Sequence, residues 1–210
     1  MARRVPCSTV DDRTRADRGQ AYTLEAIIAG VLILSALVFA LQVTAVTPLS
    51  ASTSSQHIEN QQKATANGVL VAASEEGALK DAILYWNGSA GAYHGAERGT
   101  YYTNDFPDNE FGKILERAFA GRGLAVNVAI YPEDGGRPLY MINRGTPSDH
   151  GVTASKQVTL YHGDNLIDEA GDEQATTVEN SSSFGGHIPD SGSSTSVYNV
   201  VRVEVTVWRM

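Results

Sequence analysis

Cysteine is almost missing from this chain: the single thiol, Cys7, stands ahead of the longest apolar run. No disulfide can close within it, and a cysteine-rich metal site or a paired redox thiol is excluded. Cys7 also lies on the wrong side of the apolar run for a lipoprotein cut, where the cysteine follows that run. Positive charge is in short supply. Lys and Arg number 16 against 24 Asp and Glu, giving a formal net charge of −8, so nucleic acid and anionic lipid are excluded as expected partners and an acidic, soluble surface is favoured. Histidines number only 5. His57, His94, His150, His162 and His187 fall in separate segments, without the HxxxH, HxH or HExxH spacing a zinc site needs, and read as surface or loop residues. GxSxG, GxxxxGK[ST] and GxGxxG are all absent, which removes the nucleophile elbow and the phosphate cradles. The acids Asp164, Asp168, Glu169, Asp172 and Glu173 lack the DxDxDG turn of a calcium loop and read as a solvated face. With no positive sign of chemistry, the expectation is a protein that is not an enzyme, has no catalytic or metal-ligating residues and uses no cofactor.

What the chain does have is one long apolar stretch. Between Glu25 and His57 no ionisable side chain occurs, and Ala26 to Val46 is dominated by Ala, Ile, Val, Leu and Phe. At about 1.5 Å per helical residue this stretch reaches about 31 Å, the thickness of a bilayer's hydrocarbon core. Arg3, Arg4, Arg13, Arg15 and Arg18 precede it and Lys63 is the first base after it, so the positive-inside bias exports the bulk of the chain. A secretory signal has a shorter apolar region followed by its cleavage site. The length here favours a cut before the run, at Arg18-Gly19-Gln20, leaving the helix as the mature N-terminus. A twin-arginine signal at Arg3-Arg4 is disfavoured by the distance to the run and by Val5-Pro6-Cys7.

A charged leader ending at Arg18, a small residue Gly19 at the cut, Gln20, an early Glu25 and a long apolar helix from Ala26 resemble the class III signal peptides of archaeal type IV pilins and pilin-like proteins. The wider stretch GQAYTLEA…FALQVTAVTPLSASTSSQHIENQQ is similar to an uncharacterised family of pilin-like surface proteins from salt-loving archaea. The resemblance implies cleavage by a prepilin peptidase between Gly19 and Gln20, or after Gln20, which would make Glu25 the fifth mature residue. It also implies that the Glu25 carboxylate pairs with the free N-terminal amine of a neighbouring subunit during assembly. A carboxylate beside an apolar helix resists lipid and seeks such a cation. Without assembly, Glu25 is an interfacial residue or a helix-start acid favoured by the macrodipole.

Three segments follow: a charged, irregular leader over 1–19, a membrane-spanning and assembly helix over 20–47, and an exported head over 48–210. Thr47-Pro48 should end or kink the helix, and Ser50 to Ser55 reads as a linker. A second helix from about Ser54 buries Ile58, Ala66, Val69, Leu70, Ala73 and Leu79, is weakened by Gly68 and Gly77, and continues as an amphipathic face of Leu79, Ala82, Ile83 and Trp86. After a Gly- and Tyr-rich loop, Pro107-Asp108-Asn109-Glu110 starts a helix with a stripe of Phe111, Ile114, Leu115, Ala118 and Phe119, stopped at Gly121 and Gly123. Alternation predicts a hairpin of Leu124–Tyr131 and Leu139–Arg144 across a PEDGGR turn, a third strand over Val152–Tyr161, and a central strand in YNVVRVEVTVWRM with Val201, Val203, Val205 and Val207 on one face. Gly163 to Ser196, acidic and rich in Ser and Gly, reads as a long exposed loop. Met141, Trp86, Tyr101, Tyr102, Tyr131 and Tyr140 read as core or rim residues. The expected fold is α+β: a long N-terminal transmembrane helix, then an extracellular head with accessory helices and an antiparallel sheet of about four strands.

Two functions fit. One is a pilin-like or pseudopilin-like structural subunit whose partners are a prepilin peptidase, the membrane, and copies of itself or other pilin-like subunits. The other is a single-pass anchored extracellular domain that binds a ligand or the cell envelope without assembling. Export would expose two N-glycosylation triplets, Asn87-Gly88-Ser89 and Asn180-Ser181-Ser182, neither with Pro in the middle; Asn180, inside the polar stretch, is the favoured site.

Overall fold

The computed structural model describes residues 11–97, 99–133, 135–192 and 195–209, with side chains over the same range apart from 11–21 and 43–55. The chain falls into two compact units, Met1–Ser55 and Gln56–Met210.

Helix α1 (Asp11–Glu75) contains the apolar stretch. Two expectations about it need correcting. Part of the leader, from Asp11 on, is helical rather than irregular, and the helix does not end at Thr47-Pro48, one of the two outcomes expected there beside a kink, but runs on through Ser50 to Ser55, where a linker was expected. Proline in a helix interior forfeits one backbone hydrogen bond and costs about 3 kcal/mol. A helix of 65 residues has many other bonds to set against that one. The first 10 residues, including Cys7, lie outside the described residues.

Within Gln56–Met210 the fold is α+β. The last turns of α1 bury Ala66, Val69, Leu70 and Ala73, at the helical spacing seen in the sequence. Gly77 then adopts φ 78°, a left-handed conformation that glycine takes without a Cβ penalty, and it separates α1 from α2 (Ala78–Leu84). Helix α2 buries Leu79, Ala82 and Ile83. The chain leaves it through a short hairpin, β1 (Trp86–Asn87) and β2 (Ala92–Tyr93). Helix α3 (Glu110–Phe119) begins where the acids and Asn109 predict it: the Asn109 carboxamide oxygen accepts from the Gly112 amide at 2.9 Å.

The main sheet has four strands in the order β4-β3-β8-β5, formed by β3 (Leu124–Tyr131), β4 (Leu139–Ile142), β5 (Val152–Tyr161) and β8 (Val197–Arg209). All neighbours are antiparallel. Strand β8 is central, as its alternation predicts, and Val201, Val203, Val205 and Val207 are completely buried. Opposite Val207, Val205 and Val203 in register lie Val126, Val128 and Ile130 of β3, and the same core contains Leu70, Leu79, Phe111, Leu115 and Phe119 from the helices. Each such aliphatic side chain contributes about 1.5–3 kcal/mol on burial.

The stretch Gly163 to Ser196 is not the exposed loop expected. It holds a hairpin of β6 (Asn165–Ile167) and β7 (Glu173–Thr177) and a short helix α4 (Ser182–His187). Leu166, Ile167, Val178, Phe184 and Ile188 are buried anchors. They are few and set among polar residues, so no period of two or 3.6 is sustained long enough to betray them.

Candidate functional site

Two regions stand out for function, one in each compact unit. The first is Tyr22–Gln42, 21 residues of α1, none of them buried among the described residues. Leu24, Ile27, Leu32, Ile33, Leu34 and Leu37 are all more than half exposed, and at about 100° of helix rotation per residue they point to every side of the helix rather than to one stripe. A soluble monomer rarely presents so much contiguous apolar surface. The Ser35 hydroxyl donates to the Val31 carbonyl at 2.7 Å, a bond inside the helix that lowers the cost of placing that polar group in hydrocarbon. By length and composition this one N-terminal helix can cross a bilayer, and an N-terminal signal sequence meets the same test.

Glu25 is the only ionisable acid or base between Tyr22 and Gln42 apart from the tyrosine itself. It lies one turn into the apolar stretch and is exposed. Gly19 and Gln20 have helical backbone within α1, and their side chains lie outside the described range.

The second region is the solvent face of the main sheet. Its register sets Asn127 opposite Thr206, Ala129 opposite Glu204 and Tyr131 opposite Arg202. Arg202 lies over the Tyr131 ring at 4.4 Å and forms an ion pair with Glu204. Beside them Asn127, Ala129, Tyr131, Tyr140, Glu204 and Thr206 line an open groove of about 460 Å³. Polar groups next to aromatic edges suit contact with another macromolecule or a polar ligand.

Buried asparagines hold the loops around this face. Asn127 accepts from the Arg144 amide at 2.7 Å and donates to the Gly145 carbonyl at 2.8 Å. Asn199, completely buried, accepts from the Glu133 amide at 3.1 Å and donates to the Pro189 carbonyl at 2.8 Å. Neither was singled out from the sequence. Asn199 lies on the inward parity of β8 with Val201, Val203, Val205 and Val207, where only a satisfied carboxamide is tolerated, and that was its available signal; Asn127 shares the outward parity of Ala129 and Tyr131 and carried none.

The histidines need partial correction. His187 is neither fully exposed nor in a loop: half-buried at the end of α4, it stacks on Trp86 with centroids 4.3 Å apart, and burial lowers its pKa to about 4. His94 packs against Tyr85 at 4.9 Å. His150 and His162 pair with single acids, Glu59 at 3.0 Å and Asp190 at 3.1 Å, and His57 is exposed. The acid cluster does not converge. Asp164 binds Lys80 at 2.7 Å, Glu173 accepts from Asn165 at 3.0 Å, and Asp168 caps its own turn through the Ala170 and Asp172 amides. Among the described residues no group of three or more His, Cys, Asp or Glu is placed to hold a metal ion.

The two acceptor triplets, far apart in sequence, meet in space. A Cβ built on Gly88 would lie 3.9 Å from the Ser181 hydroxyl. Asn87 is half-buried in β1, whereas Asn180 is exposed in the turn before α4.

No curated protein and no solved structure matches this chain. Residues 18–207, nearly the whole chain, match the family of unknown function DUF7288, and the chain belongs to that family.

Proposed function

We propose that this protein is a pilin-like or pseudopilin-like surface subunit, anchored by its N-terminal helix with the α+β unit outside the cell and assembled through that helix. The observation that carries the reading is the apolar sleeve of Tyr22–Gln42 with a single carboxylate, Glu25, near its start. A helix apolar on all sides is stable in lipid or among other apolar helices. A carboxylate near its mouth supplies what a plain anchor does not need, a charge that favours one register against a neighbouring cation. In this reading a prepilin peptidase cuts at Gly19-Gln20 or one residue later, the new amine on one subunit meets Glu25 on the next, and the protein catalyses nothing. The five arginines ahead of the apolar run support a cytoplasmic leader and a single pass.

The groove beside Tyr131 and Tyr140 favours a second reading, an anchored external binding domain that does not assemble. The mature N-terminus separates the two. Intact-mass and N-terminal sequencing of the membrane-bound form should find a start within one residue of Gln20. A mature chain that still carries Cys7 would exclude the pilin-like reading.

A further inference from the structure

Both acceptor triplets occupy one patch of the head, but they differ in how their carboxamides are held. The Asn87 side-chain oxygen accepts from the Ser89 and Ala90 amides, each at 3.0 Å, and its backbone carbonyl accepts from the Gly91 amide at 2.9 Å. Asn87 is also paired with Ala92 across the β1–β2 hairpin. Its triplet is therefore folded onto itself, with the carboxamide half-buried and fixed in plane. In the other triplet Asn180 is exposed, and its side-chain amide makes one surface bond, to the Thr177 hydroxyl at 2.9 Å. Water replaces such a bond at little net cost. Ser181 turns inward and accepts from the Phe184 amide at 3.2 Å as the cap of α4. Ser182, the third member of the triplet, is left exposed.

We propose that Asn180 is an N-glycosylation site of the folded, exported head and that Asn87 is not. The proposal rests on the export assumed in the preceding reading. The donor is an oligosaccharide esterified through its anomeric carbon to an isoprenoid phosphate. The Asn180 side-chain nitrogen forms a bond to that anomeric carbon, the carbon–oxygen bond to phosphate breaks, and the lipid phosphate leaves with the bonding pair. The nitrogen loses one proton to a base of the transferase, so no oxidant or reductant is required. Ser182 gives the hydroxyl that the triplet requires, and both it and Asn180 are exposed while Ser181 between them is anchored inward. The turn at Gly88 lies against Ser181, so a glycan on Asn180 overlies the Asn87 turn and further closes that triplet.

The test uses full-length protein isolated from the membranes of its own organism, analysed by peptide mass spectrometry, with protease added to intact cells as a separate measure of export. The Asn180 peptide should carry a sugar mass, lost in Asn180→Gln and Ser182→Ala and restored in Ser182→Thr, while Asn87→Gln leaves the intact mass unchanged beyond the substitution itself. A bare Asn180 on a head that external protease digests overturns the glycan proposal and leaves the export reading standing. A sugar on Asn87 with Asn180 bare overturns it as well. A bare Asn180 on a head that protease cannot reach removes the export reading, and this proposal with it.

Discussion

His187 lies face to face on Trp86, with ring planes 18° from parallel, and its Nε2 is 3.4 Å from the Tyr93 hydroxyl. Burial keeps this imidazole neutral by lowering its pKa from 6.5 to about 4. Between those values the unfolded chain binds a proton that the folded chain does not, so stability is full above pH 6.5 and is lost as pH falls toward 4. The loss is at most about 3 kcal/mol. His162 acts with the opposite sign. Its hydrogen bond to Asp190 raises its pKa, so its contribution is present below pH 6.5 and fades as pH rises through the raised value. Urea unfolding followed by tryptophan fluorescence should therefore show an acid-side slope that His187→Phe flattens, most cleanly in a His162→Gln background. Equal slopes with and without His187 would contradict the assignment.

A pair of glycines should respond in opposite directions to the same substitution. Gly112 sits in the first turn of α3, and a Cβ there would lie 1.8 Å from the Pro107 carbonyl oxygen and 2.8 Å from its carbon. Those are backbone atoms and cannot swing aside, so Gly112→Ala should destabilise by more than about 2 kcal/mol. Gly68, in α1, has nothing within 4 Å of its added Cβ. There the helix gains propensity at no steric cost, and Gly68→Ala should stabilise by up to about 1 kcal/mol. Denaturation midpoints of the two variants should move apart, and a neutral Gly112→Ala would refute the close approach.

Asn199 supplies the third test. Its buried carboxamide ties the Glu133 amide to the Pro189 carbonyl, joining the turn after β3 to the segment before β8. In Asn199→Leu both backbone groups lose their partner, at about 1–3 kcal/mol for each group left unsatisfied. The urea midpoint should drop accordingly, and amide exchange at Glu133 should accelerate more than exchange in the centre of β8. Uniform acceleration would mean that Asn199 supports only global stability.

Residues with strong periodicity were legible from sequence. Val201 to Val207 announced the central strand, Phe111 to Phe119 announced α3, and Pro107-Asp108-Asn109-Glu110 announced its start, because each pattern repeats the geometry of the element it builds. The 163–196 stretch was illegible for the complementary reason: Leu166, Val178, Phe184 and Ile188 are single anchors whose partners lie elsewhere in the chain. The Trp86–His187 stack joins β1 to α4, a contact no local window contains. The need for glycine at 112 arises only from the path of Pro107. In the candidate site, the apolar stretch and Glu25 could be read directly, whereas the sheet-face groove depends on which strands become neighbours.

The last prediction concerns Glu25. The acid sits near the start of the apolar stretch rather than at its centre, and even at the centre a carboxylate costs about 2.5–3.5 kcal/mol of insertion energy. Glu25→Ala should therefore insert at least as well as the native chain. If the carboxylate pairs with the amine of a neighbouring subunit in a dry helix bundle, its removal leaves that amine buried and unpaired, a loss of about 3–5 kcal/mol. The variant should then be found in the membrane fraction in normal amounts, with recovery in sheared surface filaments down by at least about tenfold, a factor that needs only about 1.4 kcal/mol. Glu25→Asp, with the charge kept and the reach shortened, should fall between the two. Equal recovery of the native and Ala chains in filaments would remove assembly from the role of Glu25, and failure of the Ala variant to enter the membrane would show that the carboxylate serves insertion instead.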